Sequence, residues 1–133
     1  MEDQLKNKFI VVDFWTSCCI NCIHVLAELE ELEHKFKDFP EVAFIGVHSA
    51  KFDQEEALYM LRQAVIRYDV KHVCLNDCKF DVWNQFKLNN WPTLLLVGPD
   101  GNILLKLTEE GNADVLEHYL YAGLQNYAER LER

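Results

Sequence analysis

Hydrophobic residues in this chain fall into short continuous runs and into helically spaced stripes, and the two patterns alternate along the sequence. Continuous runs rich in β-branched residues are typical of buried strands. They predict strands at Phe9–Phe14, Val42–Val47, His72–Leu75, Thr93–Val97 and Ile103–Leu107. Apolar residues three and four positions apart predict amphipathic helices. These run from Ile20 to about Lys37, from Asp53 or Gln54 onward, over Phe80–Phe86 and over Ala113–Arg130.

The order of these elements predicts the fold class. Strands and helices alternate until a turn signal at Gly98–Asn102, which predicts an antiparallel hairpin between the last two strands. Such an order is typical of an α/β protein with a central mixed sheet and helices on both faces. There are no repeats and no linker, so residues 1–133 are predicted to form one domain.

The helical stripes predict which side chains face the core. In the first long helix they are Ile23, Leu26, Ala27, Leu29, Leu32 and Phe36. In the helix that opens at Asp53 or Gln54 they are Ala57, Leu58, Leu61, Val65 and Ile66. In the terminal helix they are Val115, Leu116, Tyr119, Leu120, Gly123, Leu124 and Tyr127.

Composition and charge exclude several classes of protein. No run approaches the roughly 20 apolar residues of a membrane span, and Met1–Lys8 lacks the apolar core of a signal peptide. We therefore expect a cytoplasmic location, or a periplasmic or membrane-anchored one if a signal has been removed. The net charge of −9 argues against nucleic acid as a partner, because phosphates attract clustered Lys and Arg.

The candidate chemistry is concentrated in the cysteines. The chain has five, and Cys18, Cys19 and Cys22 fall within five residues, which is typical of redox or metal chemistry. Cys19 and Cys22 form a C-x-x-C motif after a predicted buried strand and at the start of a predicted helix. The positive end of the helix dipole favours the thiolate of Cys19, which makes Cys19 the predicted nucleophile. Cys22 lies almost one turn deeper and is the predicted resolving thiol.

The motifs around these cysteines resemble those of the thioredoxin superfamily. Asp13-Phe14-Trp15 precedes Cys19 by six residues, and Trp91-Pro92-Thr93 is similar to the family's X-cis-Pro-Thr. The resemblance implies a thioredoxin-like fold, a cis bond before Pro92 and a substrate groove at Trp91, Pro92 and Thr93. It also implies a redox-active Cys19–Cys22 disulfide with no further cofactor.

Two longer segments resemble a narrower group. Residues 18–24 (CCINCIH) and 46–52 (GVHSAKF) are similar to the thioredoxin-like domain of NHL-repeat-containing proteins. An extra strand and helix before Pro92 also resemble the TlpA-like branch. The resemblance implies that this chain is a stand-alone form of that domain or is excised from a longer protein.

The chain departs from the thioredoxin pattern in ways that affect the site. Cys18 stands where thioredoxins carry Trp, and no Lys lies in Val42–Val47 to pair with Asp13. We therefore expect Asp13 to be desolvated without a nearby cation, which raises its pKa. Our hypothesis is that Asp13 takes the proton of Cys22 during resolution.

Other polar residues are candidates for auxiliary roles. Cys18 is a small filler of the Trp position or a further redox thiol, and Cys78 is a third redox thiol or an ordinary surface cysteine. His48, at the end of the second strand, has a functional role at the active face or a structural one. Cys74, within an apolar run, is expected to be a buried inert thiol.

Four functions remain open at this point. A thiol–disulfide oxidoreductase would need a protein or small-molecule disulfide substrate and an external thiol reductant or oxidant, and we expect it to be a monomer. A copper-delivery module would bind Cu(I) through Cys18-x-x-x-Cys22, with His48 or His72 as a further ligand. A peroxidase is disfavoured because Val12 stands where the peroxiredoxin motif has Pro. A non-catalytic interaction domain of a larger protein is the fourth.

Overall fold

The computed structural model describes residues 7–16, 20–48, 54–67, 70, 72–77, 81–88, 91–108 and 111–132. The strands are β1 (Phe9–Trp15), β2 (Val42–His48), β3 (Val73–Asn76), β4 (Thr93–Val97) and β5 (Ile103–Thr108). The helices are α1 (Ile20–Lys35), α2 (Gln54–Arg67), α3 (Asp81–Gln85) and α4 (Ala113–Glu132). The predicted order of elements is confirmed, although Asp53 and Phe80 lie outside the described residues.

The sheet has five strands in the order β3-β2-β1-β4-β5, with β1 at its centre. β1, β2 and β3 run parallel, whereas β4 runs antiparallel to β1 and β5 antiparallel to β4. This arrangement confirms the predicted mixed sheet. In the parallel part the register places Asp13 opposite Gly46, and Gly46 opposite Cys74.

Alternate residues of the central strand face two different layers of helix. Phe9 and Val11 pack with α1 and α4 in one cluster of buried side chains. Phe14 packs in another cluster with Trp83 of α3. Because side chains alternate across a strand, Asp13 and Trp15 share the side of Phe9 and Val11. We call this side the α1 face and the opposite side the α3 face.

The buried stripe of α1 is shifted from the predicted one, and the stripes of α2 and α4 are narrower than predicted. In α1 the buried residues are Cys22, Val25, Leu26, Leu29 and Leu32, whereas Ala27 is exposed, so its predicted inward position is wrong. Ala27 lies outside the stripe of three to four positions per two turns that is covered by the sheet, whereas Cys22 and Val25 lie within it.

In the outer helices α2 and α4, some residues that the sequence predicts to be buried are exposed. In α2, Leu61 is buried and Val65 is partly buried, but Ile66 is 76% exposed. In α4, Leu116 and Leu120 are completely buried, whereas Val115 and Tyr119 are 41% and 46% exposed. The predicted stripes were too wide because hydrophobicity alone does not limit how much of a helix its neighbours cover. The side chains of Ala57, Leu58 and Tyr127 lie outside the described part.

The turn between β4 and β5 forms as its residues predict. The Gly98 amide donates to the Asn102 carbonyl at 2.8 Å, and the Gly101 amide donates to the Gly98 carbonyl at 3.0 Å. Gly101 has φ +87°, a conformation that glycine adopts without steric cost. The turn lets β5 return along β4 as the edge of the sheet.

Truncating adjacent residues of α4 tests the corrected stripe. We expect Leu116→Ala to lower the free energy of unfolding by about 2–5 kcal/mol, because it opens a cavity in the core. We expect Val115→Ala, on the partly exposed side, to lower it by less than about 1 kcal/mol. Urea denaturation of both variants measures the difference, and equal losses would contradict the packing of α4 described here.

Candidate active site

Cys22 is buried at the end of the sheet where β1 stops and α1 starts. The side chain is 0% exposed and lies in a cluster with Trp15 of β1, Leu26 of α1 and Leu61 of α2. This position follows from the local sequence, since a buried strand is followed by a helix whose first turn must cover the strand's last residues. Cys18 and Cys19, the other thiols of the predicted motif, lie outside the described residues, as does Cys78.

Asp13 is a carboxyl group buried in the middle of the sheet. It is 1% exposed, on the α1 face, two residues before the Trp15 that packs with Cys22. Neither carboxyl oxygen has a hydrogen-bond partner among the residues that the structure describes. Burial raises the pKa of Asp13 to about 7, and the charge on Glu33 adds to the increase while that on His72 opposes it. The predicted rise in pKa is confirmed, so Asp13 can hold or release a proton near neutral pH.

The expected lack of a cation near Asp13 is wrong. His72, just before β3, interacts electrostatically with Asp13 and lowers its pKa. No Lys lies in β2, but the His72 imidazole supplies a charge from the residue before β3, one strand beyond β2. The prediction considered only β2, the strand paired with β1 on that side.

His48 ends β2 beside Trp15. It is 0% exposed, and its ring meets the Trp15 indole edge to face with centroids 4.8 Å apart. Burial lowers the pKa of His48 to about 4. At neutral pH the ring is therefore uncharged, and its charge is not available to stabilise a thiolate.

The three residues predicted to form the substrate groove lie at the start of β4. The peptide bond between Trp91 and Pro92 is cis. Trp91 is partly buried, packs against the Cys22 cluster and stacks on Trp83 with ring centroids 4.3 Å apart. Pro92 and Thr93 are buried. Trp91 is thus the member of this group with surface available to a ligand.

A pair of charged residues near the site was not predicted as a pair. His72 Nδ1 lies 2.6 Å from Glu33 Oε1, although 39 positions separate the two residues in the sequence. The sequence did contain one signal for the position of His72. His72 and Cys74 lie two positions apart in a predicted strand, so their side chains are expected on the same face. Cys74 is partly buried, and its thiol lies 3.8 Å from the His72 carbonyl, a distance typical of a weak sulfur hydrogen bond.

In the part of the chain that the structure describes, no three His, Cys, Asp or Glu side chains are arranged to hold a metal ion. Of the helices that the structure describes, none combines the length and the apolar character needed to cross a bilayer.

Comparison with known proteins places these features in context. A family model described as thioredoxin-like matches residues 7–103. The chain is 46% identical over 124 residues to Protein SUPPRESSOR OF QUENCHING 1, chloroplastic, from Arabidopsis thaliana. It is 44% identical over 127 residues to NHL repeat-containing protein 2 from Homo sapiens. It is 27% identical over 117 residues to the thiol-disulfide oxidoreductase ResA from Bacillus cereus.

The relatives differ in how much of their own length is matched. The matches to the Arabidopsis and human proteins cover 93% and 96% of this chain but only 12% and 18% of those proteins. The ResA match covers 88% of this chain and 64% of ResA. This chain therefore corresponds to a small part of the first two relatives.

Solved structures share the fold. A thiol-disulfide isomerase from Corynebacterium glutamicum matches with a TM-score of 0.80 and 20% identity, covering 93% of this chain and 85% of that one. The MTB protein DsbF matches with a TM-score of 0.76 and 25% identity, covering 91% and 84%. These similarities confirm the predicted mixed sheet flanked by helices.

The buried carboxyl leads to a pH-dependent stability. From about pH 4 to about pH 7 folded Asp13 keeps a proton that the unfolded chain releases, so its contribution to the free energy of unfolding falls with rising pH and then levels off. We expect Asp13→Asn to have little effect at about pH 4 and to stabilise the protein at about pH 8. The gain is at most about 4 kcal/mol, at about 1.4 kcal/mol per pKa unit.

Urea denaturation at the two pH values measures this effect. Asp38→Asn, at an exposed carboxyl after α1, is the matched control and should change stability little at either pH. A stabilisation by Asp13→Asn that is the same at both pH values would contradict the buried, protonated carboxyl.

Proposed function

The chain belongs to the thioredoxin-like family and is related to thiol–disulfide oxidoreductases, and from this premise we propose that it exchanges disulfides through Cys19 and Cys22. The predicted resemblance to the thioredoxin-like domain of NHL-repeat-containing proteins is confirmed by the match to NHL repeat-containing protein 2. The activity of this chain, its substrate and its partners are part of the proposal.

One observation carries the proposal. Cys22 is buried at the start of α1 in the same cluster as Trp15 and Trp91, and Asp13 lies on the strand face that this cluster covers. A thiol, a carboxyl whose pKa is raised to about 7 and an aromatic side chain that is partly accessible thus lie around the second half of β1. Such a set suits acid–base chemistry on sulfur near neutral pH.

The proposed reaction has two steps that balance in atoms and electrons. The Cys19 thiolate attacks one sulfur of a substrate disulfide, the substrate S–S bond breaks, and the other substrate sulfur leaves as a thiolate and is protonated. Asp13 then accepts the proton of Cys22, and the Cys22 sulfur attacks Cys19. The mixed disulfide breaks, the second substrate thiol leaves, and the Cys19–Cys22 disulfide remains. The substrate gains two electrons and the dithiol loses two.

An external thiol reductant would return the pair to its reduced form, and an external oxidant would run the cycle in the opposite direction. The dipeptide between the cysteines, Ile20-Asn21, differs from that of thioredoxin, and the redox poise depends on that segment. No cofactor beyond the Cys19–Cys22 disulfide is proposed. Residues 1–133 as one monomeric domain and the cytoplasmic location stay predictions.

Cysteine variants test the proposed function. With insulin as substrate and a small dithiol as reductant, we expect Cys19→Ser to abolish disulfide reduction, because the attacking sulfur is lost. Cys22→Ser should abolish turnover and leave a mixed disulfide on Cys19, visible as an increase in mass. Val73→Ser, at an exposed side chain in β3, is the control and should retain activity.

The remaining candidate functions predict different results in the same variants. Stoichiometric Cu(I) uptake that is lost in Cys18→Ser would favour the copper-delivery module over the oxidoreductase. Absence of any disulfide reduction in the wild-type protein, with no Cys19–Cys22 bridge formed under oxidising conditions, would leave the non-catalytic interaction domain.

Truncation of Trp91 tests the groove. We expect Trp91→Ala to raise KM several-fold for a protein disulfide and to change KM little for a small aliphatic disulfide, because only the larger substrate would reach the indole. Steady-state kinetics with the two substrates measures the difference. An equal change with both substrates would show that Trp91 does not contribute to substrate selection.

A further inference from the structure

His72 is a buried imidazole held in place by a carboxylate. Its side chain is 4% exposed, and its Nδ1 lies 2.6 Å from the carboxylate of Glu33, which stands in the last turn of α1 and is 21% exposed. Burial opposes the charged form, but the hydrogen bond and the charge of Glu33, together with the contact to Cys74, outweigh it and raise the pKa of His72 to about 10. The ring is therefore an imidazolium at neutral pH.

The second ring nitrogen of His72, Nε2, lies over Gly46 of β2. Gly46 has no side chain, and the side chains of His72, Trp15 and Cys74 occupy the space that its Cβ would take. A Cβ built on Gly46 would lie 3.1 Å from His72 Nε2, 3.1 Å from Trp15 Nε1 and 2.9 Å from Cys74 Sγ. Gly46 is directly opposite Asp13 on the neighbouring strand. Adjacent strands lie about 4.8 Å apart. The imidazolium over Gly46 is therefore close enough for its charge to act on the Asp13 carboxyl.

Both facing groups lack local partners. Asp13 Oδ1, Asp13 Oδ2 and His72 Nε2 are buried and make no hydrogen bond to the described residues. A buried donor and a buried acceptor that are unsatisfied carry a substantial desolvation cost. An opposite charge across a small gap compensates part of that cost, and the electrostatic effect of His72 on Asp13 exceeds that of Glu33.

We propose that His72, held by Glu33, is the buried cation that positions the proton of Asp13 during the resolving step at Cys22. This inference rests on the proposed function and adds a residue that acts through Asp13. Glu33 fixes the imidazole through Nδ1, and the absence of a side chain at Gly46 lets Nε2 face β1. A carboxyl this deeply buried would otherwise keep its proton at neutral pH, and the resolving step would lack a base.

The other groups around Asp13 do not supply this charge. From α1, Cys22 contributes a thiol. From β2, His48 is neutral because burial lowers its pKa to about 4. From β3, Cys74 contributes a second thiol. The described residues that α2, α4 and β4 contribute to this side are apolar, namely Leu61, Val65, Leu116, Leu120 and Leu94.

His72→Gln in the full chain tests the proposal, because it removes the charge and keeps a polar side chain. We expect the titration of the Asp13 carboxyl carbon, followed by NMR in the reduced protein, to move up by about one pKa unit or more. The pH at which Cys22 resolves a mixed disulfide on Cys19 should rise by the same amount. His34→Gln, at an exposed histidine beside Glu33, is the matched control and should shift neither.

In His72→Gln the charge of Glu33 remains and raises the pKa of Asp13 by repulsion. A double variant separates this effect from the loss of the imidazolium. In His72→Gln/Glu33→Gln both charges are absent, and we expect the Asp13 titration to stay above that of the wild type, because the effect of His72 is the larger. A return to the wild-type value would overturn the role of His72. A titration unchanged in His72→Gln would overturn it as well.

Two further readouts keep the outcomes distinct. If His72→Gln does not fold, the nitrogen chemical shifts of His72 in the wild-type protein near pH 7 decide: a doubly protonated ring supports the proposal, and a neutral ring overturns it. A wild-type protein without disulfide reduction but with a shifted Asp13 in His72→Gln would end the proposed function and leave the charge coupling standing. Normal reduction with no shift would end only the further inference.

Discussion

Burial of one carboxyl group in the centre of the sheet is the constraint on which the site depends. Asp13 occupies the middle of β1, between Val11 in the main core and Trp15 beside Cys22. Every helix that covers the α1 face must therefore cover an ionisable group as well as apolar ones. A charge in such a place is costly, so the surroundings determine whether the proton stays or leaves.

Two features of the structure accommodate the buried Asp13: the missing side chain at Gly46 and the charge of His72. Any residue other than glycine at position 46 would put its Cβ within 3.1 Å of the His72 ring. The His72 ring would then have to shift from its position over β2. Glu33, at the far end of α1, neutralises the imidazolium and is partly exposed, so the net charge brought into the core remains small. Helix, sheet and loop thus each contribute one part of the environment of Asp13.

The comparisons give this arrangement a wider setting. The chain matches a small part of two much longer relatives, and it matches most of the length of a solved thiol-disulfide isomerase. Trp83 of α3 stacks on Trp91, and Trp91 also packs against the Cys22 cluster, so α3 and the residue before Pro92 are packed next to the candidate site.

The sequence by itself determined the elements, their order and the context of Cys22, because each depends on local patterns: continuous apolar runs, helical spacing and a turn at Gly98–Asn102. It also indicated that Asp13 would be buried and hard to ionise, since Asp13 interrupts an apolar strand. Only the tertiary structure decided that Ile66 and Tyr119 face outward and that His72 and Glu33 meet near Asp13. Those outcomes depend on strand register and on which helix covers which residue, and residues 39 positions apart carry no local signal of their contact.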